Sequence, residues 1–131
     1  MSKKEKIFRT TKEVLKTAKR RKSSSTRWLQ RQINDPYVRQ AQAEGKRSRA
    51  AYKIIQIDEK YKIFNEGNSV LDLGAAPGSW TEVAIERAGG FVLAVDILDM
   101  DNIDRAVILK TDLQEEDSVG LINKLAVEKF D

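Results

Sequence analysis

The sequence contains no cysteine and no histidine among its 131 residues. Without cysteine the chain cannot form a disulfide or a cysteine metal site, and without histidine it cannot carry a histidine-based catalytic triad or zinc site. No apolar run approaches the roughly 20 residues that span a bilayer, and no apolar signal segment follows the basic start. We therefore expect a cytoplasmic monomer with no metal centre and no membrane partner.

Charge is distributed unevenly along the chain. Residues 1–53 contain 17 Lys and Arg against 4 Asp and Glu, whereas residues 54–131 contain 7 against 16, so the net charges are +13 and −9. Such asymmetry is typical of a nucleic-acid-binding segment joined to an acidic domain. For any one cation the alternative is a solvated helix face, but the clustering, with Trp28 and Tyr37 interleaved, favours RNA. The candidate RNA-binding residues are Arg20, Arg21, Lys22, Arg27, Arg47 and Arg49.

The pattern of residues predicts three segments. Residues 1–22 form a basic arm that is either mobile or marginally helical. Residues 23–66 form a helical RNA-binding segment, with helices at about 26–33 and 36–43 and a third from a cap at Ser48 to about Phe64. Asp35 can cap the second helix, with Pro36 at its first position and Gly45 after its end. The apolar stripe of the third helix is predicted to consist of Ala50, Ile54, Ile57, Tyr61 and Phe64.

In residues 67–131 the pattern alternates between strand and helix. Apolar runs at 69–73, 91–95 and 106–109 predict three strands, and a last helix is expected at about 115–127. This order indicates an α/β domain with a parallel sheet.

Between the first strand and its helix lies a turn of small residues, Gly74-Ala75-Ala76-Pro77-Gly78. Its glycines let the backbone turn sharply and leave main chain open to a ligand. The spacing differs from the Gly-x-Gly-x-x-Gly of dinucleotide sites, and Pro77 removes an N–H that a phosphate would use. The turn therefore favours a nucleoside ligand without phosphate, such as S-adenosylmethionine. Taken alone, the turn could also be only a tight connection.

Aspartates follow the second and third predicted strands. Asp96 lies 22 residues after Gly74, where an acidic residue can accept both hydroxyls of a ribose. Asp112 follows the next strand and could accept from an adenine amino group. Turn or capping chemistry is the alternative for both residues.

Residues 24–30, 35–42, 47–53 and 72–80 resemble the FtsJ family of ribosomal RNA 2'-O-ribose methyltransferases, in particular the bacterial large-subunit enzymes. The resemblance implies a Rossmann-like, S-adenosylmethionine-dependent methyltransferase fold that acts on a uridine ribose of 23S ribosomal RNA. It implies cofactor contacts from Gly78, Trp80, Asp96 and Asp112. Ser79 stands where the family often has glycine, and a small hydroxyl should be tolerated there.

The family's catalytic set is Lys-Asp-Lys-Glu, and the resemblance assigns its first lysine to Lys53. The other three members, and about four of seven sheet strands, would lie beyond Asp131. We therefore expect this chain to be the N-terminal part of a longer enzyme, inactive by itself, with residues 128–131 leading into a fourth strand. Two other functions are considered: a non-catalytic RNA-binding fragment with a vestigial cofactor pocket, and a dinucleotide-dependent oxidoreductase, which Pro77 and the basic segment disfavour.

Overall fold

The computed structural model describes residues 22–126 and 129–131, which belong to two compact units, Met1–Arg49 and Ala50–Asp131. Apart from Lys22, the predicted basic arm lies outside the described residues. By its contacts, the helix predicted to follow Ser48 belongs to the second unit. The functional boundary after residue 66 stays a prediction.

The described part of the first unit, from residue 22 onward, contains two helices, α1 (Ser23–Asn34) and α2 (Pro36–Glu44). Asp35 caps α2: its carboxylate accepts hydrogen bonds from the backbone N–H groups of Tyr37 at 2.8 Å and Val38 at 3.4 Å. Gly45 ends the helix in a left-handed conformation with φ of +71°. Both helices, the cap and the glycine stop are confirmed, and α1 begins three residues earlier than predicted.

The second unit begins with α3 (Ala50–Tyr61), which ends three residues before the predicted end. Lys62 has a φ of +53°, and the N–H of Phe64 donates to Asp58 Oδ1 at 2.9 Å, so a side chain turns the backbone out of the helix. The predicted cap, Ser48, lies two residues before the first residue of α3.

The predicted stripe of α3 is wrong in part. Ala51, Ile54 and Asp58 are buried, whereas Ala50 and Tyr61 are exposed. The helix is therefore turned by about one residue from the orientation that the apolar pattern suggested. Ala51 and Ile54 pack against Val83 of the next helix, α4 (Ser79–Arg87).

Three parallel strands follow, β1 (Val70–Leu73), β2 (Val92–Asp96) and β3 (Ala106–Lys110), in the order β1-β2-β3. Leu73 pairs with Val95, and Asp96 with Lys110, so the carboxyl ends of the strands share one edge. The α/β class and the parallel sheet are confirmed.

The core surrounds the central strand β2, in which four successive residues have no exposed surface. Val92 packs with Ala84, Ile85 and Ile103 on one side. On the other side Leu93 and Val95 pack with Ile122 of the last helix, α5 (Ser118–Leu125). Helices therefore cover both faces of the sheet, as in doubly wound folds.

Helix α5 is shorter than predicted because residues 113–117 form turns before it. The Gln114 N–H donates to Asp112 Oδ1 at 2.9 Å, and the Ser118 N–H donates to the Glu115 carbonyl at 3.2 Å. Residue 127, the end of the predicted span, lies outside the described residues. No helix within the described ranges is long and apolar enough to cross a membrane.

The last described residues lie at the outer edge of β1. The N–H of Asp131 donates to the Ser69 carbonyl at 2.9 Å, and the Ser69 N–H donates to Asp131 Oδ2 at 2.7 Å. Phe130 stacks on Phe91 with ring centroids 6.0 Å apart. This segment thus begins to pair where a strand next to β1 would run.

Asp58 connects α3 to α4 and to the loop after α3. Besides the Phe64 N–H it accepts a bond from Arg87 Nη1 at 2.7 Å, and it is 6% exposed. The hydrogen bond from Phe64, then that from Arg87, lowers the pKa of Asp58 below its usual value, against the opposing effect of burial. The ionised form therefore stabilises the fold.

We expect Asp58→Ala to lower the free energy of unfolding by about 1–3 kcal/mol at neutral pH, because a partly buried N–H and a guanidinium lose their acceptor. Since the folded-state pKa is depressed, this stabilisation is fully present above about pH 4 and is lost as the pH falls through the folded value. Urea unfolding at pH 7 and pH 3 measures the difference in the free energy of unfolding between wild type and variant. Glu59→Ala, a change at an exposed neighbour on α3, serves as control. If the difference in the free energy of unfolding between wild type and Asp58→Ala is larger at pH 3 than at pH 7, the ionised form of Asp58 does not stabilise the fold.

Candidate active site

The turn after β1 is tied to the end of β2. The N–H groups of Gly74 and Ala75 both donate to the Val95 carbonyl, at 2.8 and 3.0 Å. Gly74 has a φ of +74°, and Gly78, which precedes α4, has a φ of +113°, so both positions require glycine's conformational freedom. The turn is therefore fixed at the carboxyl edge of the sheet, where ligands bind in open α/β folds.

A cavity of about 320 Å³ lies along this turn. It is lined by residues of the turn, of α3, of β1 and of α4. Its lining residues are Ala50, Lys53, Asp72, Leu73, Gly74, Ala75, Ala76, Pro77, Ser79 and Trp80. The structure thus brings together two of the predicted site residues, Lys53 and Trp80, at one cavity.

Asp96 stabilises the turn by accepting a hydrogen bond from its backbone. Its Oδ2 accepts from the Ala76 N–H and its Oδ1 from the Leu98 N–H, each at 2.9 Å. The bonds from Leu98 and Ala76 lower the pKa of Asp96, so it stays ionised at neutral pH. A carboxylate has about four acceptor positions, so capacity remains for a ligand hydroxyl. Asp96 adjoins the cavity without lining it, and its ribose contact stays a prediction.

Asp112 and Gly78 are not among the cavity's lining residues. Asp112 lies two residues past the end of β3 and accepts from the Gln114 N–H at 2.9 Å, which is the turn chemistry considered as its alternative role. Gly78 is buried, and its carbonyl accepts from the Glu82 N–H at 3.0 Å in the first turn of α4. The cofactor contacts of both residues stay predictions.

Asp72 lines the cavity, although the sequence did not predict it as a ligand-binding residue. It lies in β1 between two leucines, and the Thr81 hydroxyl donates to its Oδ2 at 2.7 Å. Burial raises the pKa of Asp72, the Thr81 bond lowers it, and the nearby Asp96 raises it. In the sequence, the only local sign of this role is a carboxylate inside an apolar strand. Its hydrogen-bond partner, Thr81, belongs to the next helix and is not evident from the strand itself.

Trp80, which is 37% exposed, lines the cavity, and its Nε1–H donates to the Ala50 carbonyl at 2.9 Å. Helical spacing in the sequence predicts one packed stripe of Trp80, Val83, Ala84 and Ala88, and the last three of these are buried. The stripe is confirmed for these three, whereas the indole turns towards the cavity and α3.

The candidate RNA-binding residues belong to the first unit. Lys22 and Arg27 are exposed and Arg47 is partly buried, whereas Arg20 and Arg21 lie outside the described residues. Arg49 is ion-paired with Asp35 and lies over the Tyr37 ring, 5.5 Å from its centroid. Arg49 therefore also holds the start of α2 together, a role that its position in a basic cluster did not reveal.

The sequence profile of FtsJ-like methyltransferases matches residues 46–131. The chain belongs to the FtsJ-like methyltransferase family. The Rossmann-like methyltransferase fold and the family resemblance are thereby confirmed.

Two curated relatives carry the name ribosomal RNA large subunit methyltransferase E. That of Maricaulis maris is 52% identical over 110 residues, covering 84% of this FtsJ-like chain and 39% of the relative. That of Granulibacter bethesdensis is 45% identical over 118 residues, covering 90% and 51%. The FtsJ-like chain thus spans about half the length, or less, of these two relatives.

A crystal structure described as a ribosomal RNA methyltransferase from Plasmodium falciparum is also similar to the FtsJ-like chain. It has a TM-score of 0.57 at 30% sequence identity and covers 65% of this chain and 52% of its own.

Proposed function

We propose that this chain supplies the cofactor pocket and one catalytic lysine of an S-adenosylmethionine-dependent enzyme that methylates the 2'-hydroxyl of a uridine ribose in 23S ribosomal RNA. The observation that carries the proposal is the cavity in which Lys53, Asp72 and Trp80 meet the glycine turn. The relatives' names support a large-subunit RNA substrate. We also propose that the enzyme works in the cytoplasm and acts as a monomer.

The cavity fits a cationic nucleoside without phosphate. S-adenosylmethionine carries two cationic groups, an ammonium and a sulfonium. The Asp72 carboxylate in the cavity lining can attract such a ligand. Pro77 offers no N–H to a phosphate, and the N–H groups of Gly74 and Ala75 are already used by Val95. Asp96 and Asp112 would hold the ribose and the adenine, with Gly78 and Trp80 at the turn. When bound, the cofactor supplies the methyl group.

Lys53 would act on the acceptor ribose. It is exposed on α3 and lines the same cavity as the glycine turn, so its ammonium group can reach a hydroxyl held beside the cofactor. Transfer to a weakly acidic hydroxyl needs alignment of the reacting atoms and removal of a proton. A lysine at this place can orient the hydroxyl or stabilise the oxygen as its proton leaves.

Two other functions are less well supported. A non-catalytic RNA-binding protein would not need Lys53 and Asp72 at one cavity. A dinucleotide-dependent oxidoreductase would need free N–H groups for the pyrophosphate at a turn where Gly74 and Ala75 are paired with Val95.

Calorimetry with S-adenosylmethionine and with NAD tests the cofactor proposal. We expect the complete gene product to bind S-adenosylmethionine at one site and not to bind NAD. Binding of NAD, or RNA binding without affinity for S-adenosylmethionine, would overturn the proposal in favour of the corresponding alternative.

Ribosomal RNA binding should depend strongly on salt, because the first unit is basic. Each phosphate contact that is removed should lower the slope of log K against log salt concentration by about 0.7 to 0.9. We therefore expect Arg27→Gln and Arg47→Gln each to reduce the slope by about that amount, and Lys124→Gln, an exposed lysine of α5, to leave it unchanged. Filter binding at several salt concentrations measures the slopes, and equal slopes for all three variants would show that neither arginine contacts phosphate.

A further inference from the structure

Trp80 connects the glycine turn to the helix that carries Lys53. It is the second residue of α4, directly after the turn, and its indole Nε1–H donates to the carbonyl of Ala50 at 2.9 Å. Ala50, Lys53 and Trp80 all line the cavity. The bond therefore joins two walls of the same site.

Ala50 is the first residue of α3, and Lys53 follows it by three residues. Residues three apart lie on the same side of a helix, one turn from each other. A bond that fixes the Ala50 carbonyl therefore also fixes the turn from which the Lys53 side chain projects. With the backbone of this turn fixed, Lys53 moves only by rotation about its side-chain bonds.

Apolar packing alone would not fix this turn as closely. Helices α3 and α4 are held together by Ala51, Ile54 and Val83, and such contacts have no preferred direction. A hydrogen bond requires both a short distance and an aligned N–H, so it limits sliding and rotation of the helix end. The indole is a donor only, and its rigid ring carries the N–H to a defined point.

We propose that Trp80 is a positioning residue for Lys53: its indole N–H holds the first turn of α3 so that the lysine faces the cofactor cavity. This role rests on the proposed function of Lys53. The hydrogen bond joins the glycine turn to α3, the helix that carries Lys53. A shift of the turn would then be passed to Lys53 through the indole.

Trp80→Phe removes the N–H and keeps an aromatic ring. In the complete gene product we expect kcat for methyl transfer to fall by about tenfold, while KM for S-adenosylmethionine changes by less than about threefold, because misalignment affects the reaction more than binding. In a Lys53→Ala background the same change should have no further effect on kcat. Losses that multiply in the double variant, or a larger effect on KM than on kcat, would overturn the positioning role.

A second measurement does not depend on activity. In the complete gene product, substitution of each tryptophan by phenylalanine assigns the indole N–H signals of Trp80 and Trp28, and Trp28, which is 53% exposed, serves as the internal reference. We expect the Trp80 indole proton to exchange with solvent at least about tenfold more slowly than that of Trp28. Equal exchange rates would show that the bond to Ala50 does not form and would overturn the proposal.

The two measurements together separate the possible failures. A protected Trp80 indole in a wild-type protein that transfers no methyl group would overturn the proposed function, and the positioning role with it. A protected indole in an active enzyme whose double variant shows independent losses would overturn the positioning role alone.

Discussion

Lys53→Ala should lower the rate of methyl transfer by about 10² to 10⁴ in the complete gene product, the range for loss of a group that orients a reactant or handles its proton. The lysine lines the cavity beside the glycine turn, and alanine leaves nothing in its place to reach the ribose hydroxyl. The affinity for S-adenosylmethionine should change little, since the acidic residues and the turn stay intact. Transfer of a tritiated methyl group to large ribosomal subunits measures the rate.

Lys60→Ala is the matched control for this prediction. Lys60 is an exposed residue of the same helix, outside the cavity lining, so its removal should leave the rate unchanged. Lys53→Arg separates two roles, because a guanidinium keeps the positive charge but does not give up its proton in proteins. Partial activity of the arginine variant would indicate an orienting role. Full activity of Lys53→Ala would reduce Lys53 to an ordinary surface lysine.

Asp96→Ala should weaken S-adenosylmethionine binding by about ten- to a hundredfold, since loss of a charged hydrogen-bond acceptor costs about 1.5 to 3 kcal/mol. Two effects contribute. The proposed ribose acceptor is lost, and the Ala76 and Leu98 N–H groups lose their partner, which loosens the turn. Calorimetry measures the affinity.

The control for Asp96 is Asp99→Ala. Asp99 lies three residues further along the chain, and it is exposed and paired only at the surface with Lys110 at 2.9 Å. We expect its loss to leave cofactor affinity unchanged. Asp96→Asn keeps one carbonyl oxygen as acceptor and should fall between wild type and Asp96→Ala. An unchanged affinity in Asp96→Ala would exclude our placement of the ribose.

Local chemistry explains which parts of the structure were predictable. Asp35, Pro36 and Gly45 act within one helix, and their pattern predicted both ends of α2. The apolar runs around β1, β2 and β3 predicted the parallel sheet, and its geometry places Asp96 at the shared carboxyl edge.

The features that the sequence did not reveal depend on partners in other elements or loops. Asp58 ends α3 through Phe64 and binds Arg87, 29 residues away. Asp72 owes its role at the cavity to Thr81 and to burial, and Arg49 is paired with Asp35. None of these contacts follows from periodicity or spacing, because each forms only after the elements have packed.

The position of the transferred methyl group tests the central claim most directly. Large ribosomal subunits lacking ribose methylation would be incubated with the complete gene product and S-adenosylmethionine, and the digested RNA analysed by nucleoside mass spectrometry. We predict one new nucleoside, 2'-O-methyluridine, which is absent when Lys53→Ala replaces the wild type. A methyl group on a base, or no methylated nucleoside from a protein that binds both cofactor and RNA, would contradict the account.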